Sequence, residues 1–189
     1  GGTKVAAPTY HAERHVTPNK PINKPEDMKG LKIRGPDAPL STMFPRAVGA
    51  NPTPIAFAEV YLALQNGTVD AQENPLPTID AKKFYEVQKY IVLTGHIVDH
   101  LNTVIAGGLW KKLSDEDRKI FTDVAQEAAA KATAEVKERE GKLVAFFKEK
   151  GVTVTEVDKN EVRDAVMKNV SFESFDYRKS DWDRIQAVK

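Results

Sequence analysis

The sequence predicts an α/β fold with a mostly parallel sheet. Short runs of period two alternate with runs of helical period along most of the chain, the pattern of strand and helix taken in turn. One such unit is complete within residues 57–74: a helix, a tight Gly turn at Asn66-Gly67, and a short strand. The third observation is a helix that starts at Ser114 and meets no breaker before Gly151, apart from the tolerated Gly141.

Residues 4–10 read as extended, and the polar stretch His11-Ala12-Glu13-Arg14-His15 follows. Pro18, Pro21 and Pro25 mark a loop. Residues 24–30 form one helical turn, with Pro25 and two acids at its start and Gly30 at its end. The next strand, 31–34, sets Leu31 and Ile33 on one face and Lys32 and Arg34 on the other. Gly35-Pro36-Asp37 breaks it, and a helix over 40–48 ends at Gly49-Ala50-Asn51-Pro52. A short strand over 53–56 leads into the helix over 57–66, whose apolar face is built on Val60 and Leu64. Gly67 closes that helix, since Gly accepts positive φ without a Cβ clash. The strand over 69–74 stops before Pro75 and Pro77, which cannot donate to a ladder. Residues 78–87 are helical, with Ile79, Phe84 and Val87 inward. Residues 89–96 are a strand rich in β-formers. A second strand over 102–107 is apolar and so expected to be buried on both faces. The Ser114 helix has acids in its first turn and would run on the order of 55 Å, long enough to cross from one lobe to another. A strand over 151–157 and helices over 160–170 and 180–188 close the chain.

The 189 residues suffice for one compact domain or one and a fraction. A net charge of +1 without a dominant basic patch argues against nucleic acid as partner. No cysteine is present, so thiolate and disulfide chemistry are excluded. No apolar run approaches the roughly 20 residues needed to span a bilayer. Gly1-Gly2-Thr3-Lys4 leads straight into structure, as in a mature or truncated chain.

Few residues carry chemistry on their face. Arg34 ends a strand just before Gly35-Pro36, where a guanidinium can meet a carboxylate with two parallel hydrogen bonds; the plain alternative is a surface Arg at a sheet edge. Arg14 carries the same two readings. Asn74 lies where open α/β folds place ligands, just beyond a strand's carboxyl end, or is a turn-former before Pro75. His96, at a strand end, is a ligand contact or a structural histidine. His11 and His15 flank Glu13, but the spacing is His-x-Glu-x-His and not the helical His-Glu-x-x-His of zinc enzymes. Glu59, Asp70 and Glu73 could pair as acid and base, yet nothing places two at one centre. Neither a nucleophile elbow nor a Gly-rich phosphate loop occurs.

Several stretches together resemble one family: Pro25-Glu26-Asp27-Met28-Lys29-Gly30-Leu31-Lys32-Ile33-Arg34, Gly49-Ala50-Asn51-Pro52-Thr53-Pro54, Phe57-Ala58-Glu59-Val60-Tyr61-Leu62-Ala63-Leu64-Gln65, Val69-Asp70-Ala71-Gln72-Glu73-Asn74-Pro75 and Phe84-Tyr85-Glu86-Val87-Gln88-Lys89-Tyr90. They are similar to the extracytoplasmic solute receptors of tripartite ATP-independent periplasmic (TRAP) transporters, of the dicarboxylate-receptor (DctP-like) type. The likeness runs from about Lys4 to the end of the chain. It implies a periplasmic, two-lobed binding protein without cofactor, metal or catalysis, which closes on an organic acid and delivers it to a membrane permease. It implies that Arg34 pairs with the ligand carboxylate, that Arg14 is a second ligand arginine, that Asn74 hydrogen-bonds the ligand, that Phe57 packs against it and that His96 lines the cleft. It assigns residues 4–99 and 140–189 to the second lobe, and residues 100–139 to a first lobe most of which, about a hundred residues, would precede this start. The strand over 102–107 would then lack sheet neighbours, and the chain is expected to self-associate through residues 102–108 and the helix that follows. Asp37 stands where the sialic-acid receptors of the family carry Asn, which argues against a sialic acid ligand. Two rival functions are a metal-dependent enzyme using His11, Glu13 and His15, and a sensor module of the same fold; the second would need a fused transmembrane or signalling segment, and none is visible.

Overall fold

The computed structural model describes residues 2–169 and 178–188. Six strands form one mixed sheet in the order β3-β2-β4-β1-β5-β6. They are β1 (Thr3–Pro18), β2 (Lys32–Gly35), β3 (Asn51–Pro54), β4 (Ala71–Pro75), β5 (Tyr90–Ala106) and β6 (Thr153–Glu156). The pairs β2·β3, β2·β4 and β5·β6 are parallel. The two pairs that involve β1 are antiparallel. The α/β class with mostly parallel pairing therefore holds, with one antiparallel strand at its centre. The helices are α1 (Pro39–Ala47), α2 (Val60–Gln65), α3 (Leu76–Ala81), α4 (Gly107–Trp110), α5 (Asp115–Glu149), α6 (Lys159–Asn169) and α7 (Lys179–Gln186). The last residue of the helix expected over 160–170 lies outside the described residues.

Two apolar layers sandwich the sheet. One side gathers Val16, Ile33, Phe44, Val92 and Val162 beneath α1 and α6. The other gathers Val60, Leu64, Ile79, Phe84, Ile91 and Phe147 beneath α2, α3 and the end of α5. Ile91 and Val92 fall on opposite sides because side chains alternate along a strand.

The two strands expected over 89–96 and 102–107 are one, β5, of 17 residues. Residues 97–101, left between the two expected strands, are strand as well, and bulges carry the register through. Between the pairs Arg14↔Ile97 and Val16↔Val92, β5 carries four intervening residues against one in β1. Nor is the far part of β5 buried on both faces: Leu101 to Val104 are exposed and Ile105 is the buried residue there. Beyond Arg14, β5 pairs with β1 alone, so both outer edges of this ribbon are open among the described residues.

Helix α5 runs unbroken for 35 residues, about 52 Å at the usual rise. Ser114 caps it, its side chain accepting from the Asp117 amide, with Asp115, Glu116 and Asp117 in the positive first turn. It crosses β1 at a bulge where Ala12 has φ 97°. Backbone donors released there are taken by α5: Tyr10 N donates to Thr133 Oγ1 at 3.2 Å and Glu13 N to Glu140 Oε1 at 3.1 Å. The Tyr10 hydroxyl donates to Glu140 Oε2 at 2.9 Å. No described helix is long and apolar enough to cross a membrane.

Candidate functional site

Arg34 sits in β2 between Thr53 of β3 and Gln72 of β4. A central strand is covered on both faces, so its guanidinium is buried and Arg34 is 3% exposed. Nε and Nη2 both donate to the Ile55 carbonyl, at 2.9 and 2.7 Å. The guanidinium carbon lies 5.7 Å from the centre of the Phe57 ring. Burial pulls the Arg34 pKa down, and the nearby Glu73 charge opposes this while Arg14 adds to it. Among the described residues Nη1 has no protein partner, and no carboxylate touches this arginine.

Arg14, in β1, is paired differently. Nε meets Glu73 Oε2 at 2.5 Å, and Nη2 meets Glu73 Oε1 at 2.9 Å, the Glu73 carbonyl at 3.0 Å and Asn74 Oδ1 at 3.2 Å. Nη1 donates to Asp99 Oδ2 at 2.8 Å. Burial alone would raise the Glu73 carboxyl, but hydrogen bonds to His96 and Arg14 outweigh it and hold Glu73 below the ordinary carboxylate range. Asp99 follows the same logic, with His11 and Arg14 overcoming burial.

Asn74 does not project beyond the strand end as expected. It lies within β4 and is 5% exposed, because Pro75 still occupies the ladder opposite Arg14. Its Nδ2 donates to Gln72 Oε1 at 2.6 Å, and Gln72 Nε2 donates to Thr17 Oγ1 at 3.0 Å.

The β5 bulge delivers His96. Its ring stacks on Phe44 at 3.8 Å between centroids, Nε2 lies 3.3 Å from Glu73 Oε2, and Nδ1 lies 2.7 Å from Thr94 Oγ1. Gly95, at φ +53°, turns its amide away from the ladder to donate to His15 Nδ1 at 3.2 Å. A Cβ on Gly95 would also come within 2.7 Å of Lys159 Cε. Gly95→Ala should cost about 1–2 kcal/mol, the scale of a left-handed residue with a side chain, before Lys159 moves aside. Chemical denaturation of the variant checks this; an unchanged midpoint would show that the bulge relaxes freely.

Phe57 opens a 3-10 turn and is 43% exposed, packed edge-on against Phe84 at 6.3 Å and facing the Lys82 ammonium at 5.3 Å. The expected site residues thus form two joined groups: Arg34 with Phe57, and Arg14 with Asn74 and His96 through Glu73. Sequence reasoning missed Phe44, Lys82 and Asp99. It met Glu73 as a candidate acid, in the triplet Gln72-Glu73-Asn74, but not as the group that holds Arg14.

His11, Glu13 and His15 are committed to three separate partners. His11 Nδ1 lies 3.2 Å from Asp99 Oδ2, Glu13 Oε2 meets Lys159 Nζ at 2.7 Å, and His15 accepts from Gly95. Burial, then the His96 and Lys159 charges, push the His15 imidazole down to about 4 against the opposing pull of Glu13. Among the described residues no group of three His, Asp or Glu side chains is placed to hold a metal ion.

The family model for bacterial extracellular solute-binding protein, family 7 (DctP), matches residues 2–175. The chain belongs to this family. This family-7 protein is 46% identical over 157 residues to the sialic acid-binding periplasmic protein SiaP of Vibrio cholerae, covering 83% of this chain and 49% of that one. It superposes on a TRAP periplasmic solute-binding protein of Roseobacter denitrificans with bound 3-deoxy-D-manno-oct-2-ulosonic acid at a TM-score of 0.94 and 34% identity, covering 100% of this chain and 64% of the other. A second such protein, from Polaromonas and bound to D-erythronate, gives 0.92 and 36%, covering 100% and 63%. The family-7 chain spans about half the length of the curated relatives it matches.

Proposed function

We propose that this chain carries the carboxylate-binding half of a TRAP transporter receptor, which captures an organic acid without converting it and delivers it to a membrane permease. The observation that carries the reading is Arg34: a buried guanidinium with no carboxylate partner, its orientation held by Ile55 and Phe57. A planar fork of this kind suits a carboxylate. Arg14, Asn74, Phe57 and His96 surround the bound acid, and residues 4–99 and 140–189 form one lobe of the receptor. The three relatives reported above are all named as periplasmic binding proteins, which supports a periplasmic location and weighs against the metal-enzyme alternative. Sialic acid, against which Asp37 argues, is bound by the relative at 46% identity and stays among the candidates with smaller sugar acids.

Native mass spectrometry of the chain as purified should show a retained small acid. Calorimetry with D-erythronate and 3-deoxy-D-manno-oct-2-ulosonic acid then tests the residue. Arg34→Lys is expected to weaken binding by about 2 kcal/mol, the scale of a charge-assisted bond in a buried site. Equal affinity of variant and parent would sink the assignment.

The chain is also expected to self-associate through residues 102–108 and α5. Leu101, Val104 and Leu109 are exposed there, next to an open strand edge, and Phe121 and Val124 are exposed on α5. Such an edge with an apolar patch is a template for a second copy. Light scattering should find a dimer or larger species at micromolar concentration; a stable monomer would refute it.

A further inference from the structure

We propose that Glu73 is the specificity-determining residue of this site and restricts it to acids that carry a single carboxylate. The inference rests on the reading of Arg34 as the carboxylate-binding group. Two arginines serve the site, and they are not equivalent. Arg14 is spent: its Nε and Nη2 hold the Glu73 carboxylate and its Nη1 holds Asp99. That cluster sets one arginine against two carboxylates, so its acids already outnumber the guanidinium that holds them. Arg34 touches no acid among the described residues and lies opposite Gln72 in β4; Glu73, the next residue, turns to the other face of the strand, yet its charge still acts on Arg34. A first carboxylate therefore meets an unmatched cation. A second carboxylate on the same molecule, a few carbons away, meets a cluster that is already over-neutralised.

Glu73 is suited to this role because it cannot move aside. It is 3% exposed, and its carboxylate is gripped by Arg14 and approached by His96 Nε2 at 3.3 Å. A surface acid would swing into solvent and let Arg14 turn to a dianion; this one is fixed in β4, a central strand. Asp99 assists from the more open end, sharing its carboxylate between Arg14 and His11. The site thus recognises charge by subtraction as well as by attraction.

Small fragments test this without knowledge of the natural acid. The Arg34 Nε–H resonance, assigned by its loss in Arg34→Lys, is titrated with acetate and with succinate in the full chain. In the parent, succinate should bind no more tightly than acetate. In Glu73→Gln the ratio should move at least tenfold toward succinate, and in Asp99→Asn in the same direction by less. Asp99→Asn and the parent ratio keep the test alive if Glu73→Gln does not fold, which a thermal melt reports. Succinate tenfold tighter than acetate in the parent, or a ratio unmoved in the folded variants, would overturn the role of Glu73 and leave Arg34 as the carboxylate residue. If neither anion shifts the Arg34 resonance, the carboxylate site itself falls, and the role of Glu73 with it.

Discussion

Arg14→Met should cost the fold about 3–5 kcal/mol at neutral pH, the usual penalty for stripping one partner from a buried ion pair. Glu73 would be left with His96 as its near partner, and Asp99 would keep His11 alone. The pH dependence should weaken as well. In the parent, Glu73 and Asp99 are held below their ordinary values, so their contribution is full above the unfolded values of about 4 and is lost as pH falls through the folded ones. Without the arginine, Glu73 keeps only the pull of His96 against burial, so less of its depression remains and less stability is lost as pH falls. His15, depressed to about 4, removes stability between about 6.5 and 4 in both proteins and cancels in the difference. Denaturant midpoints measured from pH 7 down to about pH 3, below the unfolded values, should therefore converge. A gap that stays constant or widens on acidification would refute the pairing as drawn.

Phe147→Ala should be comparably damaging, at about 3–5 kcal/mol. The 35-residue α5 buries Ala129, Leu143 and Phe147, so most of its anchorage rests on one ring. Phe147 is fully buried beside Phe146 and Tyr85, in the layer that also holds Phe84 and Ile91. The exposed Phe121 on the same helix offers the contrast: at dilutions where the chain is monomeric, Phe121→Ala should stay within about 0.5 kcal/mol. Equal losses from the two variants would show that α5 is held along its whole length. Amide exchange should agree, with the segment before Ala129 opening more readily than the segment around Phe147.

Where the fold was legible in the sequence, the signals were local. Ser114 with three following acids announced α5, and the Gly and Pro punctuation around residues 30–50 marked β2 and α1 to within a residue, while β3 begins two residues earlier than the expected 53–56 because Asn51 and Pro52 pair with Lys32 and Ile33. What could not be read is long-range. The bulge that fuses β5 depends on β1, so residues 97–101 looked like a gap between two strands when they continue one. Pro75 looked like the end of a ladder because its missing N–H is visible in sequence, while the register that keeps it opposite Arg14 is not. In the site, Arg34 had a local motif; Glu73 and Asp99 had none for their true role. Their partner Arg14 lies 59 and 85 residues away, and only folding brings the charges together.

The Ile55 carbonyl has a kinetic consequence. It holds two of the Arg34 donors and fixes the plane of the guanidinium above Phe57 before any acid arrives. Little rotamer freedom remains to be lost on encounter, so association needs no slow ordering of this side chain. Different acids should then arrive at similar rates, slowed alike by added salt, and differ chiefly in residence time. On the proposed reading, cargo would then be sorted by how long each molecule stays.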